Sequence, residues 1–508
     1  MPVKHPLKFY AHTMQEKALL SKPVALAELP EIEIENLTYD SRKVTPHTLF
    51  ICKGRNFRPA YLQEAKKSGA VAYVSEVPYP EVDLPALLTS DIRAATILLG
   101  QTYYAHVDRH FTTVGITGTK GKSTTAYYLR AICDAWQRAQ NRPPVAFISS
   151  ISTFDGTKEE KSHLTTPEPL DLYAHFQNAY DAGIENLIME VSSQALKYGR
   201  VEGIEFAIGC FLNIGMDHIS EIEHPNFADY FASKLKIFQS CRAACVNSHS
   251  EHLAEILAAA QKAGITPRTF GYQSDDDVQI SEVNPTEEGS RFHISGSFYN
   301  GDFTLAMPGV FNVENAAAAI TMAGMLGIPE EYVRRGLESA HVTGRMRIYK
   351  SANKNVVVLV DYAHNRMSFE AVFACAHAEY PEYAPVAVFG SAGGKAYSRR
   401  KDLGETAGEH ASYVILTEDD PYTEPVIDIC QEIAQYVQCP HEIVEDRQLA
   451  IKKAILGEYG CERVPARRIV LLLGKGEDTE MKRQNGWEKA PSDAELAQKY
   501  LAALPDCI

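Results

Sequence analysis

The stretch Thr113-Val-Gly-Ile-Thr-Gly-Thr-Lys-Gly-Lys-Ser-Thr-Thr125 has the residue types and spacing to hold a chain of phosphates. Gly118 and Gly121, with Thr119 and Lys120 between them, let backbone N–H groups close around phosphate oxygens. The helical pattern opening at Lys122 adds the positive end of its dipole. Lys122 can reach the outer phosphates, and the Ser123 hydroxyl, followed by Thr124, can ligate Mg²⁺. The general phosphate loop has a glycine where this chain has Ile116, so a ligand-free glycine turn is the plain alternative. Glu190, ending an apolar run beside Ser192 and Ser193, can ligate Mg²⁺ or cap the next helix. Mg²⁺ prefers oxygen, so residue chemistry alone reads His218, after Asp217, as a hydrogen-bonded active-site or core histidine. On the same terms Lys234 is an exposed helix lysine. Arg200 is a bidentate carboxylate binder or a surface arginine, and Asp361 with His364 is a polar strand terminus. Asp419, Asp420, Glu477 and Asp478 concentrate negative charge that suits an ammonium group, or else caps helices and faces solvent.

Alternating strand and helix patterns must position these residues. Short apolar runs at Thr48–Cys52, Ala70–Val74 and Ala86–Leu88 lead to a helical pattern over Asp91–Tyr104. A second block has strand candidates Val145–Ile148, Asn186–Glu190, Ala207–Asn213 and Ala243–Val246, and a third has Val356–Val360, Val386–Gly390, Tyr413–Leu416 and Ile469–Leu473. Such alternation predicts an α/β protein with mostly parallel sheets, divided into units 1–109, 110–342 and 343–508. The phosphate loop, Glu190 and Asn213 all fall at strand C-terminal ends, where ligands of such sheets sit. A cleft between the second and third units is the expected place for catalysis that requires closure.

Gly-Thr-Lys-Gly-Lys-Ser-Thr resembles the compact phosphate loop of the Mur ligases and folylpolyglutamate synthases, which lacks the outer glycine. Met189-Glu-Val-Ser-Ser193, Asn213 with Asp217-His218, Gly309-Val-Phe-Asn-Val-Glu-Asn315, Gly344-Arg-Met346 and Asp361-Tyr-Ala-His364 follow in the family's order. The resemblance is closest to Mur ligases that add the third amino acid to UDP-N-acetylmuramoyl-L-alanyl-D-glutamate. It implies a three-domain fold: a small N-terminal α/β domain for the UDP-sugar, a central ATPase domain and a C-terminal Rossmann-like domain for the amino acid. It implies ATP and Mg²⁺, with Ser123, Glu190, His218 and a carbamylated Lys234 holding metal. Asn312 is then the residue near adenine, Arg345 reaches the ATP phosphates, and Asp361 and His364 face the nucleotide. Ser41 and Arg42 of Asp40-Ser-Arg-Lys-Val44 hold the uridine diphosphate sugar, while Thr165, Thr166, Ser192 and Arg200 contact the substrate's peptide and sugar. Thr417-Glu-Asp-Asp-Pro-Tyr422 aligns with the acceptor motif. Diaminopimelate-adding members have arginine where this chain has Tyr422, so Asp419, Asp420, Tyr422 and Glu477 point to L-lysine. Ornithine and meso-diaminopimelate are the alternatives, with a folylpolyglutamate-synthase-like ligase or a nucleotide-binding scaffold without turnover behind them. The implied role is peptidoglycan synthesis, and with it cell shape and division.

Composition bounds the reading. A chain of 508 residues exceeds one core, and 45% hydrophobic with 23% charged residues is that of a soluble globular protein. A formal charge of −15 argues against general affinity for nucleic acid or anionic membranes. Ten cysteines without a CxxC pair read as reduced thiols; Cys241 and Cys245, which could share a helix face, lack further zinc ligands nearby. Neither a signal-peptide core nor a bilayer-length apolar run is present, so a cytoplasmic monomer is expected.

Overall fold

The computed structural model describes residues 4–54, 57–217, 219–220, 223–286, 289–394, 397–460 and 465–504. Three β-sheets organise them. The first is a four-stranded parallel sheet in the order Asn36–Thr38, Thr48–Ile51, Ala70–Ser75, Ala86–Leu88. Its strands are short and apolar; Leu49 and Ile51 pack toward Leu7, Tyr10 and Met14, while Phe50 and Tyr73 face Leu62 on the other side. Each such fully buried side chain contributes ~2 kcal/mol. The helix Ile92–Tyr103 follows, started by Asp91, whose carboxylate accepts from the Arg93 and Ala94 amides.

The second sheet has eleven strands. Seven run parallel, in spatial order Ala146–Ile148, Asn186–Glu190, Thr112–Thr117, Phe206–Phe211, Cys241–Asn247, Arg268–Gly271 and Val278–Thr286. Antiparallel strands extend both edges: Ser152–Phe154 with Glu159–Lys161 on one side, Gly289–Gly296 with Asn300–Leu305 on the other. Cys241 and Cys245 lie on a strand, not a helix, because the β-type run starts earlier than its most apolar residues suggest. The strand expected to reach Asn213 ends at Phe211, which frees the Asn213 side chain for the loop beside it.

The third sheet runs Arg347–Lys350, Val356–Asp361, Arg468–Leu473, Ala384–Phe389, Tyr413–Leu416, His441–Ile443, all parallel except the first. A buried cluster continues from helices Lys122–Ala139 and Val310–Met325 through Val342 and Met346 to Val357, Leu359 and Phe369. The second and third units therefore share apolar packing beside their connection. Among the described residues no helix is long and apolar enough to cross a membrane.

Candidate active site

The loop 118–121 joins the Thr112–Thr117 strand to the Lys122–Ala139 helix. Gly121 has φ +83°, and a Cβ there would stand 2.2 Å from Asn315 Oδ1. Gly118 has φ +154°, and its Cβ would meet the Leu212 Cβ at 2.9 Å. Both positions accept only glycine, for conformation and for space. Asn213 braces the turn: its Oδ1 accepts from Lys120 N at 2.8 Å and its amide donates to Lys120 O at 3.1 Å. Lys122 folds back over the loop, donating to the carbonyls of Gly118 and Thr119.

Ser123 and Glu190 are linked through a residue not singled out from the sequence. Ser123 Oγ lies 2.9 Å from Ser150 Oγ, and the Ser150 amide donates to Glu190 Oε1 at 2.8 Å. Glu190 is fully buried, and its Oε2 has no hydrogen-bond partner among the described residues. An orphaned carboxylate oxygen beside a hydroxyl and a phosphate loop is a hard-oxygen donor set, and it fits Mg²⁺. Among the described residues no three His, Cys, Asp or Glu side chains converge. His218 lies outside the described residues.

Lys234 is buried rather than exposed, because its helix Phe227–Leu235 lies against the phosphate loop. Its Nζ donates to Gly118 O at 2.8 Å and stands 4.8 Å from the Tyr230 ring centre. Burial, reinforced by the Lys122 and Lys120 charges, pushes its ammonium well below the usual lysine range. Burial also brings Lys120 down to about 8, against the pull of Asp217. Three crowded lysines make a site that polyphosphate charge would stabilise.

Asp217 extends the site across the cleft. Its carboxylate lies 3.4 Å from Lys120 Nζ and accepts from Arg399 at 2.8 Å and from Asn365 at 2.7 Å, both of the third unit. At the connection, Asp361 accepts from the Met346 and Ala363 amides, so its oxygens tie the connecting segment to the third sheet. Arg345 lies over the Tyr362 ring with its Nε buried and without a hydrogen-bond partner among the described residues. His364 is exposed in the cleft, with Nδ1 2.7 Å from Tyr362 O. Asn312 is buried and donates to Pro308 O, and Asn315, one turn on, meets the phosphate loop through Thr125.

Toward the first unit, Ser41 donates to Glu64, and Arg42 is exposed and paired with Asp40. Thr166 Oγ1 donates to Glu190 O and accepts from Ser192 N, tying two substrate candidates to the metal-side strand. Ser192 also caps the helix Ser193–Lys197. Thr165 is half-buried beside them. Arg200 contacts Glu168 at 2.8 Å, and Lys53 of the first unit contacts the same carboxylate at 2.5 Å. Glu168 therefore already partners one cation from each of the two units.

The acidic group of the third unit is less free than its composition suggests. Buried Lys475 lies 2.9 Å from Asp420 and 3.6 Å from Asp478, Lys161 of the central sheet's edge lies 2.9 Å from Asp478, and Arg347 lies 3.6 Å from Glu477. Asp419 alone among the four makes no ion pair or hydrogen bond with the described residues, and burial raises its carboxyl to about 6 despite Arg447 and Lys475. Tyr422 stands at φ +56°, its ring 5.0 Å from Lys482 Nζ, which also faces Trp487. Ser150, Arg399, Lys161 and Lys475 were missed in sequence because each works through a partner far along the chain; only the Gly474-Lys-Gly476 setting of Lys475 was a local signal. A groove of ≈830 Å³ lined by Arg93, Tyr198 and Arg242 includes none of these phosphate-loop or metal-side residues.

Residues 116–323 match the Mur ligase middle domain, and 344–476 match the Mur ligase glutamate ligase domain. The chain is 36% identical to a UDP-N-acetylmuramyl-tripeptide synthetase of Ligilactobacillus salivarius, over 93% of this chain and 95% of that protein. It is likewise 36% identical to the UDP-N-acetylmuramoyl-L-alanyl-D-glutamate–L-lysine ligase of Enterococcus faecalis, over 93% and 92% of the two chains. Its fold matches a solved UDP-N-acetylmuramoyl-L-alanyl-D-glutamate–2,6-diaminopimelate ligase with TM-score 0.64 and 22% identity, covering 99% of both chains.

Proposed function

Because the chain belongs to the Mur ligase family, we propose that it adds L-lysine to the D-glutamate of UDP-N-acetylmuramoyl-L-alanyl-D-glutamate. It is an ATP-dependent amide-forming ligase of peptidoglycan precursors. The observation that carries the choice of amino acid is Asp419, a buried carboxylate without a hydrogen bond among the described residues, near Tyr422 in the place of an acceptor-binding arginine. Arg447 and Lys475 face this carboxylate without bonding it, so an acceptor ammonium can still pair with it directly, whereas a second carboxylate on the acceptor finds no fork to receive it. The domain roles follow the units 1–109, 110–342 and 343–508.

In this reading the substrate carboxylate attacks the γ-phosphate of ATP, giving an acyl phosphate and ADP; the acceptor amine then attacks the carbonyl, and phosphate leaves. The loop amides and Lys122 hold the transferring phosphoryl group and offset its charge. Mg²⁺, when bound, neutralises the developing phosphate charge. Ser123 and Glu190 are its described holders, with His218 and Lys234 the further members that the family resemblance supplies. Burial disfavours the ammonium form of Lys234, and its amine is chemically suited to take up CO₂ and become an anionic carbamate. Arg345, stacked on Tyr362 at the hinge, comes to the phosphates as the units close, and closure keeps water from the acyl phosphate. Ser41, Arg42, Thr165, Ser192 and Arg200 are the residues that would meet the UDP-sugar dipeptide, with the buried Thr166 bracing Ser192 behind them.

The deciding experiment measures ADP release with the UDP-muramoyl dipeptide and a panel of amino acids. L-Lysine gives the highest kcat/KM; equal or better turnover with meso-diaminopimelate or ornithine overturns the acceptor assignment and leaves the ligase standing. Lys234→Ala loses activity, and short carboxylates restore part of it by supplying the missing anion. An active nucleotide-bound crystal with Lys234 unmodified and turned outward would sink the carbamate.

A further inference from the structure

Ser193, His224 and Asp229 form a hydrogen-bonded chain away from the phosphates. His224 Nε2 lies 3.0 Å from Ser193 Oγ, and His224 Nδ1 lies 2.6 Å from Asp229 Oδ2. Lys197 shares that Oδ2 at 2.6 Å and donates to Glu223 O. Lys197 and His224 hold the Asp229 carboxyl below its usual range, so this oxygen accepts. Nδ1 then carries the imidazole proton, and Nε2 accepts from the Ser193 hydroxyl. The same three residue types make a nucleophile with its base in hydrolases. Here His224 is 0% and Ser193 4% exposed, so no acyl group can reach the hydroxyl. The chain is mechanical.

What it joins is specific. Ser193 opens the helix that follows the Glu190 strand end. Asp229 lies in the first turn of the helix Phe227–Leu235. That helix touches the phosphate loop twice, through Tyr230 at 3.1 Å from Thr119 and through Lys234 on Gly118 O. Glu190 and Lys234 approach the loop from different elements, and the His224 ring bridges the helix that directly follows the Glu190 strand to the helix that carries Lys234. The Tyr230 ring packs edge-on against it, 5.2 Å between centres.

We propose that His224 is a positioning residue that fixes the spacing between Glu190 and Lys234 across the phosphate loop, and so sets how tightly the site holds a Mg²⁺-nucleotide. The inference rests on the ligase reading for the use of that spacing, not for its existence. Small displacements of catalytic groups cost up to ~100-fold in rate, so His224→Ala lowers kcat about 10- to 100-fold. It also raises the Mg²⁺ concentration for half-maximal activity several-fold, while KM for the amino acid stays within about twofold. His224→Gln, whose amide offers one donor and one acceptor, regains part of both losses.

The test uses the full chain. It measures kcat, each KM, the Mg²⁺ midpoint and, without turnover, ADP affinity by calorimetry at several Mg²⁺ concentrations. A folded His224→Ala variant with unchanged kcat, Mg²⁺ midpoint and Mg²⁺-dependent ADP affinity overturns the proposal, as does lowered thermal stability alone. If His224→Ala fails to fold, Ser193→Ala, which removes one link, decides: a smaller shift of the Mg²⁺ midpoint supports the bridge, and no shift overturns it. Labelling of Ser193 by a fluorophosphonate also overturns it, because the hydroxyl is then an accessible nucleophile. Should the wild type release no ADP with any amino acid while the Mg²⁺-dependent ADP affinity still falls in His224→Ala, the positioning role stands and the ligase reading fails.

Discussion

At the scale of single residues, charge and burial divide the work. Lys122 is held over the phosphate loop by two carbonyls, ready to exchange them for phosphate oxygens. Lys122→Ala is expected to lower kcat ~10²–10³-fold, the usual loss when an electrostatic donor to a transferring group is removed, with the thermal melt unchanged. Ordinary turnover in the folded variant would place the phosphates elsewhere. Asp419 gives a pH prediction with a definite sign. Its carboxyl, raised to about 6 chiefly by burial, is protonated below that pH and charged above it. Only the charged form attracts an ammonium, so KM for L-lysine rises as pH falls from 7.5 to 5.5. The empty fold shows the opposite sign: a raised carboxyl contributes stability as its proton is taken up, and that contribution is lost as pH rises through about 6. Asp419→Asn raises the lysine KM at pH 7.5 and flattens its pH profile; a profile identical to wild type excludes Asp419 from the acceptor site.

Among the elements, the strand–loop–helix unit around residue 121 is the least tolerant. An alanine at φ +83° costs ~1–2 kcal/mol, and its Cβ would displace the Asn315 amide at 2.2 Å. Gly121→Ala is therefore expected to weaken ADP binding at least tenfold, read by calorimetry, because the loop amides lose their common direction. Binding within twofold of wild type would show that the loop adapts. The sequence made this unit legible, since an apolar run, two glycines and a Lys-Ser pair state strand, turn and helix in order. It also placed the parallel strands Asn186–Glu190 and Tyr413–Leu416 to the residue. The antiparallel pair Gly289–Gly296 and Asn300–Leu305 was not legible in the same way. Its residues are half polar, as an edge with one wet face requires, and so resemble loops in composition.

In the whole molecule, the second and third units meet at Asp217, which takes donors from Arg399 and Asn365 while touching Lys120 of the phosphate loop. Asp217→Asn removes the charge that gathers these groups. It is expected to lower kcat about tenfold and to lengthen the average distance between the two units on nucleotide binding. Paired spin labels on the second and third sheets measure this, and an unchanged distance distribution would remove Asp217 from closure. By itself the sequence determined where the glycine loop with its Lys-Ser pair falls and that parallel strands present it, because glycine freedom, charge and apolar periodicity are local properties. It also marked the acidic group Asp419, Asp420, Glu477 and Asp478. Only the tertiary structure decided that Lys475 and Lys161 already neutralise part of that group, that Lys234 is buried, and that Ser150 joins Ser123 to Glu190. Burial and pairing depend on what distant segments bring to the same few ångströms, and no local pattern of residues records that.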